Sequence, residues 1–558
     1  MTVTETRPES LEEAAAAGAV GALPSGPAPL LPPAPPEGFA GVLATAEHKV
    51  VGRLYIGFSL LFLLGGLVLA ELVAVEGVDL QTLNVLDADT YFQILTLSQV
   101  GVFFLGLMPL LLGVAIHVVP LQVGSATIAF PRAAAASFWT WLVGALLLVA
   151  GYGINGGPGG GDPEAVHLTL AAWGMVLAAL LLGVICVVTT VLTARPEGMS
   201  LKRAPAFAWS MVAGGSVWLL ALPVLGANLA LVYLDDAHSR ILFGQADNVW
   251  PQLSWVFAST AVFSFAVPVL GVAADVIPVM AGRRQARYPV GLGLIAAFAV
   301  VGFGAHHQTF FNPRLVEQGA FVGASFALLL VLLAFLGGLG DVLRRGRPRI
   351  ASPLMLAMPA VLLLLGAAAA AAAYSVRGFK LFGTTWGLGV TKLVVGAIVL
   401  GAAAALHYWG PKVWGRMPAE PLGRLNALVL LGGAVLYGGS DLVSGAIGQP
   451  TTPVTGVATV VEDGAELLNG LGAVGGALLI FGVLLLIVAH LPAAFGQGRR
   501  AAADPWGGFT LEWATASPPP HGNFIEPLPA IGSPYPLLDA RDATAPAIDA
   551  LGARSEVV

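Results

Sequence analysis

Apolar runs of about 20 residues recur along this chain, and each is long enough to cross a hydrocarbon layer as one helix. Inside lipid a backbone has no water to bond, so a run of this kind must satisfy its own N–H and C=O groups by coiling into a helix. Candidate spans fall at about 51–75, 92–119, 136–154, 168–194, 207–234, 250–280, 288–308, 320–342, 353–374, 383–409, 424–445 and 467–492. The chain is 57% hydrophobic and only 10% charged. Soluble domains run near a quarter charged, so a soluble fold is excluded. The expected fold is all-α, a twelve-helix membrane bundle spanning 47–495.

Residues 1–46, rich in Pro, Ala and Glu, read as a disordered tail. They lack the basic start and short apolar core of a signal peptide. Residues 496–558 read as a Pro-rich tail with no spanning potential. The loops between spans separate by charge. One set holds Arg132, Arg195, Lys202, Arg203, Arg283, Arg284, Arg287, Arg344, Arg345, Arg347, Arg349, Arg416, Arg499 and Arg500. The alternate set is poor in basic residues and carries Asp162, Asp235, Asp236 and Asp247. Basic loops stay in the cytoplasm, so both termini are expected there, with the chain in the plasma membrane. The lone Cys186 excludes an internal disulfide and reads as core packing. The Gly-rich loop at 153–161 is followed by no Lys-Ser/Thr and is a connection, not a phosphate cradle.

Ionisable or metal-binding side chains at membrane depth are functional suspects by default. His306 and His307 lie side by side near the end of an apolar run. Lys392 lies well inside another. Its ammonium either occupies an interior cavity or snorkels toward the outer surface on its four-carbon stem. Glu71, Asp275 and Asp441 fall near span ends and read as interfacial.

Several stretches resemble subunit I of the haem-copper oxidases, the catalytic subunit of cytochrome c oxidase. They are Pro120–Gly124 with Ala129–Arg132, Arg195–Ser200 with Arg203–Trp209, Leu222–Leu225, Tyr408–Lys412, and the tail Asp504–Trp513 with Ser517–Phe524. The resemblance implies the family's twelve-helix fold and places six histidines that bind two haems and a copper. At the helix-two haem-ligand position stands Ser98. In helix six, Ser259 stands at the copper-ligand histidine, Ala261 at the proton-relay glutamate and Phe263 at the tyrosine. The helix-ten pair of haem ligands reads Gly389 and Thr391. Helix eight lacks the family's lysine near 325–339, and the loop 440–463 has no arginine for haem propionates. His306 and His307 match the family's adjacent pair and are the candidate residual copper site.

The resemblance and these replacements together lead to the expectation of a haem-less, non-catalytic subunit or scaffold beside respiratory proteins. Its expected partners are other oxidase subunits and the lipid bilayer, with no nucleic acid. No cofactor is expected, residual copper at His306 and His307 being the alternative. Two other functions stay open. One is a working terminal oxidase with haem and copper, oxidising cytochrome c and reducing oxygen. The other is a transporter or sensor that reuses the bundle around Lys392 and the histidine pair.

Overall fold

The computed structural model describes residues 38–78, 86–158, 160–238, 249–257, 259–304, 319–451 and 464–544. Two compact units divide the chain, Met1–Thr45 and Ala46–Val558. In the first, Gly38–Ala44 is a short helix where composition pointed to disorder. The apolar stretch GFAGVLA differs from the Pro- and Glu-rich sequence before it.

The second unit is helical, with isolated bridges but no strand among the described residues. Its main helices are α1 (His48–Glu76), α2 (Asp89–Gln122), α3 (Pro131–Gly153), α4 (Pro163–Thr193), α5 (Ala206–Ala237) and α6 (Val267–Ala281). They continue with α7 (Tyr288–Gly304), α8 (Gly319–Arg345), α9 (Ser352–Tyr374), α10 (Trp386–Trp414), α11 (Glu420–Ala446) and α12 (Ala465–Ala494). Eleven stretches among the described residues are long and apolar enough to cross a membrane. The remaining expected span, 288–308, corresponds to α7, whose 17 residues end against the undescribed stretch 305–318.

Helices adjacent in sequence pack together, α3 on α4, α4 on α5, α7 on α8, and so on to α11 on α12, which returns onto α1. Enclosed within are α2 from Val100 onward and Val262–Ala281, both wholly buried, with α10 largely so. The sequence of α2 after Gly101 is apolar on every side, which suits a helix with no lipid-facing stripe. Over Gly101–Leu107 it widens into a π-helix. There α1 and α2 approach closely: a Cβ on Gly66 would lie 2.8 Å from the Val102 nitrogen. Small residues at such crossings let membrane helices meet backbone to backbone.

The continuous span expected over 250–280 is corrected. Val249–Ser254 is a short helix, Trp255–Phe257 and Ser259–Ala266 are 3₁₀ turns, and only from Val267 does a regular α-helix run. Pro268 sits in the first turn of α6, where its missing N–H ends any continuous ladder from before it. Irregular backbone at membrane depth is tolerated when protein surrounds it. Here aromatic rings do so: Phe257 packs against Phe103, Phe104, Trp173 and Trp250 at centroid distances of 5.3–6.4 Å.

The C-terminal segment is not a loose tail up to residue 544. Phe509, Leu511 and Trp513 are core residues. Lys49 Nζ donates to Pro520 O and to Asn523 Oδ1, both at 2.9 Å, and Lys412 Nζ donates to Ala503 O at 2.7 Å. Asp275, expected at a wet interface, is instead 6% exposed. Its carboxylate accepts from the Ala206 and Phe207 N–H groups, each at 3.0 Å, and from Gln122 Nε2 at 2.9 Å. It caps the first turn of α5, where unpaired amides favour an anion.

Candidate functional site

A cavity of about 640 Å³ is lined by residues of α1, α2, α9, α10, α11 and α12 and by Trp250 and Phe257. Its walls are mostly apolar, from Leu67, Val73, Phe92, Leu95, Val102, Phe103 and Val395. Ser98, Thr391 and Lys392, three of the positions singled out from sequence, come together on this one cavity.

Two glycines set its polar wall. A Cβ on Gly389 of α10 would stand 2.8 Å from the Gly438 carbonyl of α11, and one on Gly438 would stand 2.8 Å from the Leu393 nitrogen. The two backbones therefore touch. Three residues beyond each glycine, on the same helix faces, come Lys392 and Asp441. They form an ion pair at 2.6 Å. Lys392 Nζ also stands 4.5 Å from the centre of the Tyr437 ring, a cation–π distance. Asp441 is 7% exposed, so its expected interfacial placement is corrected: the lysine holds it inside. Glu71 of α1 lies within electrostatic reach of Lys392. Lys392 thus lines the cavity in an ion pair.

Gly389 faces the α11 backbone and is not among the residues that line the cavity. Ser98 and Thr391 do line it, but both hydroxyls are engaged. Ser98 donates to Leu95 O at 2.7 Å, and Thr391 to Phe257 O at 3.2 Å. His306 and His307 lie outside the described residues, as does the Ser259 side chain. Among the described residues no cluster of three His, Cys, Asp or Glu is placed to hold a metal ion. The buried imidazoles of His407 and His490 pack on each other with centroids 4.8 Å apart and do not reach the cavity wall.

Haem iron is held by His, Cys, Met or Tyr. The described wall has no His, Cys or Met, and no arginine for propionates. Tyr91, Tyr374 and Tyr437 line it, and Tyr437 already serves Lys392. The volume accommodates a large ligand, but this donor set does not fit an axially ligated haem. Sequence reasoning missed Asp441 and Tyr437 as site residues. The available signal was the i, i+3 spacing of glycine and charge on two successive spans.

Eleven stretches long and apolar enough to cross a membrane, among the described residues, and a cavity beside α2 and α10 define a polytopic helical membrane protein. The family model for cytochrome c and quinol oxidase polypeptide I matches residues 50–492, and the chain belongs to that family. It is 29% identical over 530 residues to a putative cytochrome c oxidase subunit 1-beta of Streptomyces coelicolor, covering 89% of each chain. It is 26% identical over 519 residues to cytochrome c oxidase subunit 1 of Bacillus subtilis, covering 89% of this chain and 82% of that one. Among solved structures, a heme-copper terminal oxidase dimer matches in fold with a TM-score of 0.63 at 13% identity, over 81% of this chain and 85% of that one.

Proposed function

We propose that this chain is a haem-less, non-catalytic member of its family, kept as a subunit or scaffold of a respiratory membrane assembly. It sits in the plasma membrane with both termini in the cytoplasm, on the side of the basic loops. Its partners are other oxidase subunits. One observation carries the reading: the wall between α2 and α10 offers hydroxyls bonded to backbone carbonyls and a lysine paired with Asp441, where the family resemblance calls for imidazoles. Imidazole nitrogen is what iron and copper take at neutral pH.

The size of the cavity favours a second reading, a haem-binding oxidase whose ligands come from residues outside the described set, His306 and His307 among them. A reduced-minus-oxidised visible spectrum of the purified chain, with iron and copper analysis, separates the two. No haem band and no stoichiometric metal is the expected result. One or two haems per chain overturns the proposal. Co-purification with other oxidase subunits then tests the scaffold role, and its failure in the haem-free protein would favour a transporter or sensor.

A further inference from the structure

We infer that the cavity beside Lys392 is a binding site for a neutral, lipid-soluble molecule carrying a carbonyl head. The volume of about 640 Å³ lies within the range of small-molecule sites, and the walls are mostly apolar. Apolar cavities far smaller take up apolar molecules. An apolar body therefore suits most of the wall.

The head is specified by Lys392. An ammonium has three N–H donors and no acceptor. Asp441 Oδ2 is its ion-pair partner at 2.6 Å, and the Tyr437 ring face lies 4.5 Å away. A further acceptor for its N–H groups is missing among the described residues, and the Lys392 side chain is 22% exposed while lining the cavity. The ligand supplies that acceptor. Its charge is constrained by the same cluster. Lys392 and Asp441 cancel, and Glu71 adds a carboxyl group within electrostatic reach. A carboxylate head would be set against two acidic side chains for one ammonium, and a cationic head would face the ammonium itself. A neutral carbonyl meets neither penalty. Thr384, Thr385, Thr451 and Asn469 also line the cavity and add polar groups to its wall.

The inference rests on the haem-less reading, since a porphyrin in this cavity would exclude the ligand. Both are read in one sample. The probes are a brominated long-chain methyl ketone, the brominated alkane and the brominated fatty acid of equal length. Each is added to the full chain in lipid nanodiscs, and quenching of tryptophan fluorescence is followed, Trp250 being on the cavity wall. Expected is saturable quenching by the ketone at a concentration about tenfold below that for the alkane, which corresponds to roughly 1.4 kcal/mol, with the fatty acid weaker than the ketone. The Ala70→Phe variant, which puts a ring on the wall, abolishes saturation. The Lys392→Met/Asp441→Leu variant, with both charges removed together, binds ketone and alkane alike. Equal binding of ketone and alkane to the unmodified chain overturns the inference. So does a stronger response to the fatty acid, or saturation unchanged in Ala70→Phe. A Soret band in the same sample would instead overturn the haem-less reading.

Discussion

Replacing Lys392 with Met leaves the Asp441 carboxylate enclosed with no counter-charge. The two partners are 22% and 10% exposed in their side chains, so solvent screens the pair only modestly. Removing one member of a buried pair costs about 3–5 kcal/mol, because the survivor is left charged and unpaired. The expected outcome is a loss of about 3–5 kcal/mol at pH 7. In Lys392→Met/Asp441→Leu both charges go and the loss disappears, since apolar replacement of a buried pair is neutral or stabilising. Unfolding by SDS titration, followed by tryptophan fluorescence, measures all three proteins. A single variant within about 0.5 kcal/mol of the parent at pH 7, the range of ordinary surface substitutions, would refute the pairing and the cavity wall built from it.

Gly389→Ala drives a methyl group toward the Gly438 carbonyl at 2.8 Å, and overpacking of this kind costs about 1–3 kcal/mol. The same titration reads it, and a neutral effect would contradict the close α10–α11 crossing. Asp275→Leu strands the Ala206 and Phe207 amides and the Gln122 side chain. Each buried orphan costs about 1–3 kcal/mol, so low yield or a strongly lowered unfolding midpoint is expected. Glu512, in the C-terminal segment, is fully buried beside Asp275, Trp409 and Gln122, and burial raises its pKa above the ordinary 4.5. In the unfolded chain it ionises first. Its contribution is therefore full below the ordinary carboxyl range and is lost as pH rises through the raised value. Glu512→Gln should flatten that part of the stability–pH curve, and an unchanged curve would count against it.

The amino-acid sequence determined the all-helical membrane class, because backbone in lipid has no partner but itself and a run of 20 apolar residues has one way to comply. Motifs such as Arg195–Trp209 and Asp504–Trp513 carried the family. What each charge touches was decided by tertiary structure. Asp275 and Asp441 lie near span ends by count, and position along one helix is blind to what packs beside it. Asp275 is buried because α5 begins against it, and Asp441 because Gly389 and Gly438 bring α10 and α11 into backbone contact. The irregular stretch before Val267 has the same origin: hydropathy reports transfer into lipid, whereas the aromatic shell from α2 and α4 lets non-helical backbone persist there. The cavity itself is a property of six helices together. No single stretch encodes it, because its walls come from residues more than 400 positions apart in the chain, from Leu67 on α1 to Ala473 on α12.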